Sequence, residues 1–194
     1  MKIWIPVLCA VALLAGCAKP REVEAPIREV DANLLQNRND VYHLPNEEKP
    51  FTGVAVMKYP NGQKETEVTY KDGKGDGLWT SWRNNGKKES EATRKDGKPH
   101  GLWTRWYENG QKKSEVTYKD GKMDGLGKTW HENGQKRAEI TWKSGKQDGL
   151  TTAWYENGQK EGELTWKDGK KHGLATSWYE NGLKKAEFTW KDSK

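Results

Sequence analysis

The stretch Tyr107–Trp130, "YENGQKKSEVTYKDGKMDGLGKTW", decides the reading of the whole chain. Its Asn109-Gly110 pair recurs as Asn61-Gly62, Asn85-Gly86, Asn133-Gly134, Asn157-Gly158 and Asn181-Gly182, a constant spacing of 24 residues. Self-similarity at a fixed period of this length signifies one supersecondary unit stacked on itself. Five full units occupy 59–178 and a partial sixth occupies 179–194. A half unit, "FTGVAVMK", begins at Phe51, and the segment 34–58 is expected to supply an entry hairpin and this half unit as an N-terminal cap.

Alternation inside the unit has period two, the signature of strands. In "SEVTY" Ser114, Val116 and Tyr118 point one way, and Glu115 and Thr117 point the other. In "LGKTW" Leu126, Lys128 and Trp130 share a face. The Asn-Gly pair joins the two strands into a β-hairpin, and a glycine-rich loop such as "KDGKMDG" closes the unit. The fold class is therefore all-β: an open antiparallel sheet of tandem 24-residue hairpins.

Turn length sets which faces agree. A three-residue loop of Glu108, Asn109 and Gly110 requires positive φ at the glycine, a conformation that side chains resist. The same turn role falls to Gly62, Gly86, Gly134, Gly158 and Gly182. With that loop, Trp106 faces Lys112, Thr104 faces Ser114 and Leu102 faces Val116, which would merge the apolar stripes on one face. The expected core rows are Trp82, Trp106, Trp130, Trp154 and Trp178, with Val68, Val116, Ile140, Leu164 and Phe188 beside them. A third row, Tyr70, Tyr118, Trp142, Trp166 and Trp190, is interrupted by Arg94. Tyr59, Tyr107, Tyr155, Tyr179, Trp79 and Trp103 then fall off the core rows and form a candidate exposed aromatic binding face.

Composition is unusual for a folded chain. Leu, Ile, Val and Phe together make up about 14% of it, a level typical of disorder. Two features oppose that reading: 34 basic residues nearly balance 28 acidic ones, and the 11 Trp lie on a grid. The net charge of +6 is spread over a long surface and lacks the dense basic stripe that nucleic acid needs.

The first sixteen residues read as a signal peptide: a basic start at Lys2, an apolar run, and Leu14-Ala15-Gly16 before Cys17. This segment resembles the bacterial lipobox, which implies lipid on the Cys17 thiol and membrane anchoring through it. A linker over 17–33 follows. Ala18 and Lys19 provide no aspartate of the inner-membrane retention type, so the expected location is the bacterial envelope, at the outer membrane in a Gram-negative cell. Cys9 leaves with the signal and Cys17 is consumed, so no disulfide is expected.

The unit "YENGQKKSEVTYKDGKMDGLGKTWHENGQK" resembles the MORN-repeat variant of bacterial proteins, over Phe51 to Lys194. The resemblance implies a hairpin array with no catalytic residues of its own and no cofactor. Bacterial proteins of this type are often labelled antitoxin components of toxin–antitoxin systems, and eukaryotic relatives associate with proteins and membranes. A lipobox fits poorly with a cytoplasmic antitoxin. The leading expectation is a non-enzymatic envelope lipoprotein that binds or scaffolds another protein. An antitoxin-like or immunity protein that occludes a toxin is the alternative, and a cell-wall glycan binder is a third reading.

Enzymatic and metal chemistry find little support in the residues. Gly127-Lys128-Thr129 ends like a phosphate-binding loop but has Lys122 where the earlier glycine belongs. Asp72, Lys74 and Asp76 place a lysine in the middle of a calcium-loop pattern. His100 and His172 take the place of Asp76, Asp124 and Asp148 in other copies, too far apart to share a metal, and His131 stands where Tyr107 stands elsewhere. No catalytic, metal or cofactor site is expected.

Overall fold

The computed structural model describes residues 27–191. The signal segment and Cys17 lie outside the described residues. The chain opens with β1 (Glu29–Asp31), a 3-10 turn (Ala32–Leu34), β2 (Gln36–Arg38), β3 (Val41–His43) and β4 (Gly53–Lys58). The repeats follow as β5 (Lys64–Lys71), β6 (Lys74–Trp82), β7 (Lys88–Lys95), β8 (Lys98–Trp106) and β9 (Lys112–Lys119). After them come β10 (Lys122–Met123), β11 (Gly125–Trp130), β12 (Lys136–Lys143), β13 (Lys146–Trp154), β14 (Lys160–Lys167), β15 (Lys170–Trp178) and β16 (Lys184–Trp190).

From β4 onward each strand pairs antiparallel with its sequence neighbour, and β10 and β11 share β9. The result, among the described residues, is one open sheet of 14 strands. The only parallel pair among the described residues is β1 on β4, so the sheet is mixed at its first edge. No helix among the described residues is long and apolar enough to cross a membrane.

Two kinds of turn alternate along the sheet. At the Asn-Gly turn, the Gly110 N–H donates to the Tyr107 carbonyl at 3.0 Å and the Tyr107 N–H to the Gln111 carbonyl at 2.8 Å. Gly110 has φ +87°, as a glycine-bulge loop of three residues requires. The Asp-Gly segment is tighter than the extended loop expected for it. Lys119 pairs with Lys122 across two residues, and both Asp120 (φ 49°) and Gly121 (φ 84°) are left-handed. That is the mirror-image turn whose twist suits adjoining strands, and Asp tolerates its first position.

The register corrects the expected faces. Trp106 does pair with Lys112, but Arg105 pairs with Ser114, so Lys113 is an extra residue taken up in a second bulge. This bulge undoes the one-residue shift made by the loop. Leu102 consequently faces Thr117, and Trp103 faces Val116. The leucine and valine stripes, expected together, lie on opposite faces of the sheet. A physical reason is visible at the bulge: consecutive lysines each meet an aromatic ring. Lys112 Nζ lies 5.9 Å from the Trp130 ring centroid and Lys113 Nζ lies 5.4 Å from that of Tyr107, contacts worth about 0.5–1 kcal/mol each at exposed sites.

One face carries Val68, Trp79, Ala92, Trp103, Val116 and Ile140, with the Tyr70-to-Trp190 row beside them. We call it the Val–Tyr face. The other, the Leu–Trp face, carries Leu78, Leu102, Leu126, Leu150 and Leu174, a threonine row, and Trp82, Trp106, Trp130, Trp154 and Trp178. The threonines Thr80, Thr104 and Thr152 are buried between the larger side chains.

The best-buried apolar cluster belongs to the N-terminal cap rather than to the repeats. Leu44, Phe51 and Ala55 pack with Val30, Leu35 and Tyr70. The β2–β3 hairpin rests against the first repeat, where the Tyr42 N–H donates to the Gly73 carbonyl at 2.8 Å. Tyr42 meets Tyr70 edge-on at 5.3 Å.

Candidate binding surface

The six aromatics expected on one exposed face do not share a face. Trp79 and Trp103 sit half-buried on the Val–Tyr face, edge to face at 5.8 Å, and Trp103 leans on Tyr118 at 5.5 Å. They pack against neighbouring repeats, the reverse of the exposed position expected. The register correction is the cause, since Trp103 stands opposite Val116.

The tyrosines lie at the Asn-Gly turns and link repeats. The Tyr59 hydroxyl donates to the Trp82 carbonyl at 2.8 Å, Tyr107 to Trp130 at 2.8 Å and Tyr155 to Trp178 at 2.9 Å. Other copies use different chemistry for the same contact. Arg83 donates through Nη2 to the Trp106 carbonyl at 3.0 Å, and His131 Nε2 donates to the Trp154 carbonyl at 2.8 Å. Asparagines reinforce the ladder, as Asn109 Nδ2 donates to the Glu132 carbonyl at 2.8 Å. These three tyrosines are half-buried, whereas Tyr179, at the last turn, is 50% exposed. Burial raises the Tyr155 hydroxyl above its ordinary pKa, with Glu161 and Glu180 adding to the effect.

A second ladder runs along the Asp-Gly turns. The Gly97 N–H donates to the Gly75 carbonyl, Gly121 to Pro99, Gly145 to Met123 and Gly169 to Gln147, each at 2.8 Å. Asp76, Asp124 and Asp148 also accept from the N–H of Asp96, Ser144 and Asp168 in the following turns. Of the two aspartates that suggested a calcium loop, Asp76 is thus a turn acceptor and Asp72 occupies the left-handed first position of its turn. His100, in the corresponding position, instead lies with Nδ1 3.6 Å from an Asp120 carboxylate oxygen. Among the described residues, no three of His, Cys, Asp and Glu converge as a metal set.

The surface that sequence reasoning missed is the Leu–Trp face. Leu78, Leu102, Leu126, Leu150 and Leu174 are each 45–52% exposed, with no second layer of the described chain over them. Beside them Trp106, Trp130, Trp154 and Trp178 are each covered by a lysine from the preceding, adjacent strand. Lys88 lies over Trp106 at 5.6 Å, Lys136 over Trp154 at 5.4 Å and Lys160 over Trp178 at 5.8 Å. Each of these lysines also pairs with a glutamate three residues on, such as Lys136 with Glu139 at 2.8 Å and Lys160 with Glu163 at 2.5 Å. The surface therefore repeats leucine, threonine, tryptophan and a neutralised charge pair, with Lys128 taking the place of the threonine beside Leu126 and Trp130. The leucine period was readable in the sequence, but its face was not, because that depends on the Lys113 bulge.

This arrangement defines a class: an open array of hairpin repeats whose turns are laddered together and whose side chains present a periodic surface. The chain belongs to the MORN repeat variant family, which it matches six times in tandem, over 51–72, 75–96, 99–120, 123–144, 147–168 and 171–192. That frame cuts the period at Phe51, so the half unit and the partial unit of the turn-based frame become parts of complete copies. A comparison with curated proteins finds no match.

Proposed function

We propose that this chain is a non-enzymatic lipoprotein of the bacterial envelope, anchored through Cys17, whose Leu–Trp face docks a protein partner. The observation that carries the reading is the row of half-exposed leucines at one per repeat. Two strands per repeat set a pitch of about 10 Å. Contiguous exposed apolar surface of this kind is a common mark of an association site. The Lys–Glu pairs along its border are nearly charge-neutral, which suits a protein surface better than a polyanion.

The test is crosslinking in intact envelopes, followed by capture and mass spectrometry, with wild type beside a Leu102→Ser/Leu126→Ser/Leu150→Ser variant. The three leucines are exposed, so the variant should fold normally by circular dichroism. A partner crosslinked to wild type and absent from the variant is the expected result. The same partners recovered from both would refute the assignment of this face.

A further inference from the structure

The period is broken twice at one place. The row Gly75, Pro99, Met123, Gln147, Lys171 begins with a residue that has no side chain. The neighbouring row, Tyr70, Arg94, Tyr118, Trp142, Trp166, Trp190, has its one non-aromatic member at Arg94. The two sites touch: a Cβ built at Gly75 would lie 3.2 Å from Arg94 Cδ and 4.0 Å from Val68 Cγ1. A missing side chain and a missing ring together open a cleft of about 620 Å³ on the Val–Tyr face. The β2–β3 hairpin of the cap bounds its far side, bringing Asp40 and Tyr42 to the cleft. The volume lies within the usual range of small-molecule sites.

The lining has the character of a site rather than a packing fault. Tyr42, Tyr70 and Trp79 contribute aromatic surface, and Arg94 and Lys98 contribute positive charge. Among the described residues the Arg94 guanidinium makes one hydrogen bond, a long one of 3.4 Å to the Gly97 carbonyl, and no ion pair. A guanidinium presents five donors in a planar fork that matches a carboxylate in bidentate fashion. Here most of that capacity is unspent beside an aromatic wall. Burial raises the Tyr70 phenol above its ordinary range, Tyr42 adds to this and the Arg94 charge opposes it.

We infer that this cleft binds a ring carboxylate, with the carboxylate on Arg94 and the six-membered ring against Tyr42, Tyr70 and Trp79. A sugar acid and an aromatic acid share this chemistry. Asp40 at the hairpin turn would accept from a hydroxyl of the former.

The test is ligand-observed NMR and tryptophan-fluorescence titration of the full chain with glucuronate and with phenylacetate. Glucose and benzyl alcohol serve as the uncharged counterparts. For one ion pair and one stacked ring the expected Kd is roughly millimolar. The acid that binds identifies the source, and its uncharged counterpart should bind at least about tenfold more weakly. Arg94→Tyr restores the residue type of Tyr70 and Tyr118, so it should fold as wild type and lose at least about tenfold in affinity. Arg94→Gln provides a second variant without the charge and should lose as much, while Leu183→Ser, at an exposed position in the last Asn-Gly turn, should bind as wild type. Binding of neither acid, equal binding of an uncharged counterpart, or undiminished binding by both Arg94 variants would overturn the inference.

Discussion

Replacing Tyr107 with phenylalanine removes one hydroxyl and tests what couples the repeats. That hydroxyl is the donor to the Trp130 carbonyl at 2.8 Å, from a side chain that is otherwise half-buried and unchanged. Leaving a partly buried carbonyl without its donor costs about 1 kcal/mol. Tyr59 and Tyr155 make the same bond two repeats to either side. Four strands at about 4.8 Å separate successive members by roughly 19 Å, beyond the range at which substitutions interact. The three changes should therefore add to about 3 kcal/mol. Tyr179 provides the internal control, because among the described residues its hydroxyl faces no carbonyl of a following repeat. Its replacement should stay within about 0.5 kcal/mol of wild type. Urea unfolding followed by tryptophan fluorescence reads all of these, with the triple variant displaced by roughly 1–3 M in midpoint. If Tyr179→Phe matches Tyr107→Phe, or the triple variant is no less stable than the single ones, the ladder does not couple the repeats.

Other expectations follow from single positions. Gly110→Val should cost about 1–3 kcal/mol and Gln111→Val far less; a Cβ at Gly110 meets nothing within 4 Å, so the whole cost is backbone strain at φ +87° and equal denaturation midpoints would contradict it. Gly53→Ala would place its Cβ 2.2 Å from the Arg28 carbonyl oxygen, so limited proteolysis should cut before residue 44 in the variant sooner than in wild type. Cys17→Ser should release the protein from the membrane fraction or leave it unprocessed, and fractionation with lipid-sensitive mass spectrometry checks this against the wild type. The lysines of the Lys–Glu pairs are half-exposed to solvent, so raising salt to about 0.5 M should change stability by less than about 0.5 kcal/mol.

The sequence made the period, the strand pattern and the three-residue loop readable because each is local. Asn109-Gly110 has few conformations open to it, and alternation in "SEVTY" needs no partner to be seen. The faces were not readable, because one inserted residue at Lys113 exchanges them and a bulge leaves no trace in an alternation pattern. Its only local sign is the lysine doublet at Lys112-Lys113, which composition does not distinguish from an ordinary solvated pair. The tyrosine ladder was hidden for a different reason: its acceptors are backbone carbonyls 23 residues away, and every residue type has one. Arg94 stood out as an interruption, but Gly75 did not, since the contact between them runs diagonally across strands.

The order of strands in the sheet is also their order in the chain from β4 to β16, and this fixes how the protein responds to tension. A pull between the two ends strips the outermost strand first, loading its hydrogen bonds one after another rather than all together. Each freed unit of 24 residues then supplies roughly 80 Å of slack, at about 3.3–3.6 Å per residue. The parallel β1–β4 contact resists differently, because sliding it loads its bonds simultaneously. A tether at the N-terminal end would thus hold at the cap while the far end pays out hairpin by hairpin, lengthening under load and shortening again as each hairpin re-forms on the one before it.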